Sequence, residues 1–104
     1  MKKKKSLSRK TVKRPEKHVI KRRGHVEKFD ERKVYASAYA SCLAAHVPEK
    51  KCEQVAESVC NTICTWVSEQ KVVTAHMLYE QTVKALRKHN KHAAFMYETH
   101  MDIS

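Results

Sequence analysis

The fold is decided by one stretch of the chain, His18-Val-Ile-Lys-Arg-Arg-Gly-His-Val-Glu-Lys-Phe-Asp30. Two short segments with β-branched residues flank the single glycine of the protein, a pattern typical of a β-hairpin. Arginine is unfavourable in a two-residue type I′ turn, because both central residues of that turn need a positive φ. We therefore predict a three-residue loop at 22–24, with Gly24 in the left-handed position.

This loop length also fixes the register of the hairpin. It places Lys21 opposite His25 and Val19 opposite Glu27. One face of the hairpin then combines cationic, acidic and apolar side chains, namely Val19, Lys21, His25, Glu27 and Phe29. The other face carries Ile20, Val26 and Lys28. A loop one residue shorter would shift the register and scatter the mixed face.

The rest of the chain predicts four helices. Asp30 is a natural N-cap for an alanine-rich helix over 31–46, and Pro48 starts a second helix whose apolar residues recur every three or four positions. Residues 71–73 form a short β-prone run. Thr74 caps a third helix that runs to about residue 88, Asn90 ends it, and a fourth helix covers 92–101. We expect a mainly α (α+β) fold, a four-helix unit capped by a small β-hairpin or three-stranded sheet.

The positive charge is concentrated at one end of the chain. Residues 1–33 hold 15 basic and four acidic side chains, whereas residues 34–104 hold seven of each. Residues 1–17 have too few apolar side chains to form a core, so we predict a disordered basic tail there and one folded domain over 18–104. The tail suits either nucleic-acid binding or a purely solubilising role, and its composition favours neither. It lacks aromatic residues, so base stacking by the tail is not expected.

Several classes of protein are excluded by composition. One glycine and two prolines are too few for the many turns of an all-β barrel or sandwich. A Walker loop and a dinucleotide-binding fingerprint each need several glycines in one loop, which this chain does not have. No run of 18 apolar residues exists, and no apolar segment follows the lysine-rich start as in a signal peptide. We therefore expect a cytoplasmic protein without a membrane contact.

The pattern of cysteines and histidines gives little indication of a metal site or a catalytic nucleophile. The four cysteines lie on or beside apolar helical stripes, and no CxxC pair is present, so we interpret them as reduced core residues and predict no metal site. The seven histidines are scattered, and His89 and His92 lie near a helix end, where a cation also suits the helix dipole. No local signature of an activated nucleophile is found, so we predict that the chain is not an enzyme.

The hairpin and the residues after it resemble the opening of the ATP-cone domain. The matching residues are Val19, Lys21-Arg22, Gly24, Glu27, Phe29-Asp30 and Lys33-Val34, and Arg23 stands where the family usually has Asp or Asn. Further along, the stretches 73–75, 78–80, 84–86 and 93–97 are similar to the family's third and fourth helices. The ATP-cone is the regulatory nucleotide-binding module of many ribonucleotide reductases and of a bacterial repressor of reductase operons.

The resemblance implies a site for ATP or dATP between the hairpin and the helices, and the nucleotide can carry Mg²⁺ with it. The phosphates would meet Lys21, Arg22 and Lys33. The base and ribose would be surrounded by Val19, Glu27, Phe29, Asp30, Val34 and Leu78, with Thr74 or Tyr79 near the base or sugar. The mixed hairpin face derived from the register contains four of these residues, so the two lines of reasoning agree.

Two further positions depart from the family pattern. Met96 stands where the last helix often has a basic residue for the phosphates, with Lys91 the nearest substitute, and Tyr79 stands where the third helix usually has a polar residue. The resemblance implies a non-catalytic allosteric sensor of ATP or dATP. It would control deoxyribonucleotide synthesis or its transcription through self-association or a protein partner. The alternative is a small basic nucleic-acid-binding protein that uses residues 2–17 and keeps a degenerate cone as a scaffold.

Overall fold

The computed structural model describes residues 17–100, apart from the side chains of Arg22 and His100. A three-stranded sheet covers one end of a four-helix unit, as the sequence predicts. The strands are β1 (His18–Ile20), β2 (Val26–Lys28) and β3 (Val73–Thr74). The helices are α1 (Glu31–Ala44), α2 (Glu49–Glu69), α3 (Ala75–His89) and α4 (Lys91–His100).

The hairpin has the predicted loop and register. β1 and β2 are antiparallel with Val19 opposite Glu27, and the Lys21 N–H donates to the carbonyl of His25 over 2.6 Å. A turn of 3₁₀-helix over Arg22–Gly24 closes the hairpin, and Gly24 has a φ of 79°. Arg23 also lies in the left-handed region, with a φ of 68°, which the sequence reasoning did not foresee.

The third strand is shorter and lies later than predicted. β3 runs parallel to β1 and pairs Val73 with Val19, which gives the strand order β2-β1-β3. Of the predicted run 71–73, only Val73 belongs to the strand, and Val72 is exposed. In this parallel pair Ile20, the last residue of β1, lies opposite Thr74, which is also the N-cap of α3, so the strand ends at Thr74.

Local chemistry sets the ends of the helices. Asp30 accepts a hydrogen bond from the N–H of Arg32 at the start of α1, and Thr74 accepts one from the N–H of Met77 at the start of α3. α1 ends at Ala44, two residues before the predicted end, because His46 has a positive φ of 64° that a helix cannot contain. Asn90 ends α3 and also caps α4, since its side chain accepts from the N–H of Ala93.

The core lies where α2 packs against α1 and α3, and small or branched side chains fill it. Every third or fourth residue of α2 is buried, and so is one stripe each of α1, α3 and α4. The largest fully buried side chains include Ile63, Leu86, Val59 and Val67. Val19 and Phe29 extend this core under the hairpin, so the sheet is anchored on the helices through its inner face.

The predicted basic tail at 1–17 falls almost entirely outside the described residues. Lys17 alone is described: its carbonyl accepts from the N–H of Phe29, and its ammonium group contacts the carbonyl of Gln70. Lys17, which the sequence analysis placed in the tail, therefore contacts the folded unit. Among the helices that the structure describes, none combines the length and the apolar character that crossing a membrane requires.

Candidate functional site

A pocket opens between the inner face of the hairpin and the helices α1, α3 and α4. Its cavity volume is about 170 Å³. The hairpin and the loop after it contribute Val19, Lys21, Glu27, Lys28, Phe29 and Asp30. The helices contribute Lys33, Val34, Ser37, Ala75, Leu78, Tyr79, Thr82 and Tyr97. The pocket therefore forms where the two halves of the fold meet, and each half supplies part of its wall.

The inner wall of the pocket is apolar and aromatic. Val19, Phe29 and Val34 are buried, at 4%, 7% and 7% exposure. Tyr79 of α3 stacks on Tyr97 of α4 with their ring centres 5.5 Å apart and their planes 23° from parallel. Burial raises the pKa of the Tyr97 hydroxyl, so this group stays protonated at neutral pH. Such a wall suits a flat, uncharged ring.

The rim of the pocket carries two lysines held by one carboxylate. Glu27 Oε1 lies 3.2 Å from Lys21 Nζ and 3.7 Å from Lys33 Nζ, so the two ammonium groups are close together. The hydrogen bond from Lys21 and the charges of both lysines hold the pKa of the Glu27 carboxyl below its ordinary value. All three side chains are substantially exposed, and ion pairs of this kind contribute little to stability. A polyanion can therefore replace Glu27 as the partner of the two lysines with little loss of stability.

Asp30 belongs to the pocket and to the helix start at once. Its Oδ1 accepts from the backbone N–H of Arg32 over 3.0 Å and from Arg32 Nε over 3.2 Å. These hydrogen bonds hold the pKa of the Asp30 carboxyl below its usual range. Because α1 begins here, Asp30 has a fixed orientation next to Lys33, one turn further along the helix.

The pocket brings together most of the site residues predicted from the sequence. Those that line it are Val19, Lys21, Glu27, Phe29, Asp30, Lys33, Val34, Leu78 and Tyr79. Thr74 is not part of the lining; it immediately precedes Ala75, and its hydroxyl oxygen caps α3. Arg22 lies in the hairpin loop, and its side chain falls outside the described part of the structure.

Sequence reasoning missed five residues of the lining. They are Lys28, Ser37, Ala75, Thr82 and Tyr97. Ser37 lies three residues after Val34 and Thr82 four residues after Leu78, so helical spacing from predicted site residues could have found both. Tyr97 reaches the pocket only through the packing of α4 on α3, which leaves no local signal in the sequence.

Two of the departures from the family pattern have visible consequences. Tyr79 does not fill the pocket but forms part of its aromatic wall through the stack with Tyr97. Met96 is half-buried and is not part of the lining, and Lys91 is exposed on the first turn of α4. Among the described residues, the cations that line the pocket are therefore Lys21, Lys28 and Lys33, all from the hairpin and α1.

The cysteines lie in the helical core, away from the pocket lining. Cys42, Cys52 and Cys60 are buried, Cys64 is half-buried, and none of the four forms a disulfide. Burial raises the pKa of the Cys42 thiol to about 11, so this thiol is protonated and inert at neutral pH.

The fold and the pocket define a small helical module with a binding site between a β-hairpin and the helices. The chain belongs to the ATP cone domain family, whose family model matches residues 17–97 and so most of the 104 residues. Neither a curated protein nor a solved structure is matched by the chain. The family confirms the resemblance seen in the hairpin motif and, in general terms, a nucleotide-binding regulatory role.

Proposed function

We propose that this protein binds ATP or dATP in the pocket between the hairpin and the helices and acts as a non-catalytic sensor of that nucleotide. The observation that carries the proposal is the pairing of Lys21 and Lys33 at the rim of a pocket with an aromatic wall. Charge at the rim suits a triphosphate, and the wall suits a purine ring. Membership of the ATP cone domain family supports the same assignment.

The lysines hold the triphosphate, together with Arg22 of the loop. Lys21 and Lys33 already lie within 3.7 Å of a single carboxylate oxygen, so they can converge on one anionic group without a change of backbone. A triphosphate offers more charge than the Glu27 carboxylate and more acceptor oxygens. Exchange of one acceptor for the other therefore favours the bound state.

The size of the cavity fits the base rather than the whole nucleotide. A buried apolar cavity of roughly 150 Å³ is enough to take a benzene ring. The cavity of about 170 Å³ accommodates one flat ring system against Tyr79 and leaves the phosphates at the rim, where the lysines are. Glu27 and Asp30 offer acceptors for the amino group of adenine or the hydroxyls of the ribose. In this arrangement Tyr79 lies near the base or sugar, whereas Thr74 lies outside the lining, one residue before Ala75.

The regulated process is a further part of the proposal. The family resemblance points to deoxyribonucleotide synthesis or to its transcription, controlled through self-association or a protein partner. The nucleotide contacts both the hairpin and the bundle, so binding restrains the hairpin relative to α1 and α3. The simplest consequence of such restraint is a change in the outer surface of the hairpin, to which a second copy or a protein partner can respond.

The role of positive charge in binding the phosphates is tested by a double variant. Changing Lys21 and Arg22 to alanine should weaken ATP and dATP alike, because each charge-assisted contact contributes about 1.5–3 kcal/mol. The matched control changes Lys50 and Lys51, two exposed lysines of α2 that do not line the pocket. Isothermal titration should find binding lost or reduced more than tenfold in the first variant and unchanged in the second. An equal loss of affinity in both variants would mean that the nucleotide responds only to the net charge of the protein, which would contradict a specific site.

Glu27 is tested separately, because its proposed role differs from that of the lysines. In Glu27→Gln the lysines lose their neutralising partner, so inorganic triphosphate should bind more tightly than to the unmutated protein. The preference for ATP over GTP should shrink, since a carboxylate can only accept from the amino group of adenine, whereas the Gln amide can also donate to the carbonyl oxygen of guanine. Titrations with triphosphate, ATP and GTP measure both effects. Weaker triphosphate binding with an intact ATP preference would assign Glu27 to the phosphates instead.

A further inference from the structure

A cluster of possible metal ligands lies where the first turn of α1 meets α2, outside the lining of the nucleotide pocket. Cys60 and Cys64 are one helical turn apart on the same face of α2, and Glu31 is the first residue of α1. One ligand atom from each of the three residues lies within 4.8 Å of the other two. None of the three belongs to the lining of the pocket.

We propose that Glu31, Cys60 and Cys64 form a binding site for one thiophilic divalent cation of the zinc class. Two thiolates and one carboxylate are ligands that Zn²⁺ accepts, and two ligands at i and i+4 of a helix are a familiar arrangement for this ion. Three protein ligands leave a fourth position for water. The site adds a second ligand class to the protein and goes beyond its proposed role as a nucleotide sensor.

The distances fit tetrahedral coordination with little movement. Zn–S bonds of about 2.3 Å and a Zn–O bond of about 2.1 Å place a sulfur and an oxygen ligand about 3.6 Å apart, and two sulfurs about 3.8 Å apart. Cys64 Sγ lies 3.9 Å from Glu31 Oε2. Cys60 Sγ is already next to the start of α1, 3.6 Å from the carbonyl oxygen of Glu31. Side-chain rotation alone can therefore close the site.

The environment also favours a cation. One carboxylate oxygen of Glu31 is shielded from solvent, Cys60 is buried, and Cys64 is half-buried. A divalent ion compensates the negative charge that one carboxylate and two thiolates bring together at this partly buried place. Each thiol gives its proton to the solvent as its sulfur–metal bond forms.

This proposal replaces the expectation from sequence that the cysteines only fill the core. The spacing of Cys60 and Cys64 indicates two ligands, but the sequence around them offers no third. Glu31 lies 29 residues before Cys60. Only the packing of α1 on α2 brings the carboxylate to the thiols. A bound ion would fasten the first turn of α1 to α2, and that turn follows Asp30 and contains Lys33 of the pocket.

The test uses Co²⁺ as a spectroscopic probe on the full-length protein. The protein is stripped of metal with a chelator and kept reduced with a phosphine, which does not compete as a thiol would. Cobalt bound by thiolates shows an intense sulfur-to-metal charge-transfer absorption that cobalt on surface histidines lacks. We expect this band to saturate at one Co²⁺ per chain and to vanish when one equivalent of Zn²⁺ is added.

Variants separate this site from the rest of the protein. Cys64→Ser should remove the band and weaken Zn²⁺ at least about 100-fold, and Glu31→Gln should weaken it about tenfold, since even indirect partners of a metal contribute 10–100-fold. Cys52→Ala is the matched control, a buried cysteine of the same helix outside the cluster. Circular dichroism confirms that each variant is folded. The proposal is overturned if the unmutated protein shows no charge-transfer band, or if Cys52→Ala abolishes the band while Cys64→Ser retains it.

Discussion

Arg23 shows how a single residue can hold strain in the turn that forms the binding face. It adopts a φ of 68° and a ψ of 19°, a left-handed conformation that costs an L-residue with a long side chain roughly 1–2 kcal/mol. Asn and Asp tolerate this region because their short polar side chains bond to the local backbone. The structure thus explains in physical terms why the family pattern has Asp or Asn at this position.

Relief of that strain is a direct prediction. Arg23→Asn should raise the free energy of unfolding by about 1 kcal/mol, whereas Arg23→Ala, which removes the same charge but keeps the unfavourable φ, should not. Urea unfolding of the two variants and the unmutated protein measures the difference. Equal stability of the Asn and Ala variants would mean that the turn does not hold the left-handed conformation in solution.

At the scale of elements, the start of α3 depends on one hydroxyl. Thr74 Oγ1 accepts from the N–H of Met77 over 3.1 Å, and Thr74 is also the last residue of β3. The same residue therefore joins the sheet to the helix whose next residues line the pocket. A hydroxyl keeps its proton free to donate when its oxygen accepts, so capping leaves Thr74 able to bind a ligand as well.

The cap predicts a clear pattern among substitutions. Thr74→Ala should lower the free energy of unfolding by about 1 kcal/mol, and Thr74→Ser should retain most of it, because serine caps as well as threonine. Thermal or urea unfolding followed by circular dichroism checks both. An alanine variant as stable as the serine variant would contradict the role of this hydroxyl at the helix start.

These elements also show what the sequence can and cannot predict. The register of the hairpin followed from Gly24 and the alternation around it, and the caps Asp30 and Thr74 followed from local chemistry. The left-handed Arg23 was missed because nothing but the closed loop requires it. The stack of Tyr97 on Tyr79 and the contact of Glu31 with Cys64 were not predicted. Both depend on the packing of one helix on another, which leaves no local pattern in the sequence.

At the scale of the whole molecule, the pocket joins two parts that are buried to different extents. The helices share a continuous core, whereas the hairpin adds Val19 and Phe29 to that core and leaves Ile20 and Val26 exposed on its outer face. A ligand that contacts both Tyr79 and the hairpin lysines adds contacts between these two parts. Because such a ligand binds only the folded protein, it must raise the stability of the whole chain.

Nucleotide titration of the unmutated, full-length protein tests the central claim most directly. Calorimetry with ATP, dATP and GTP, paired with melting temperatures at millimolar nucleotide, measures affinity and stabilisation together. The account predicts saturable heat with ATP or dATP, weaker binding of GTP, and a melting temperature that rises with nucleotide concentration. The absence of both heat and stabilisation with ATP and dATP at millimolar concentration would contradict it.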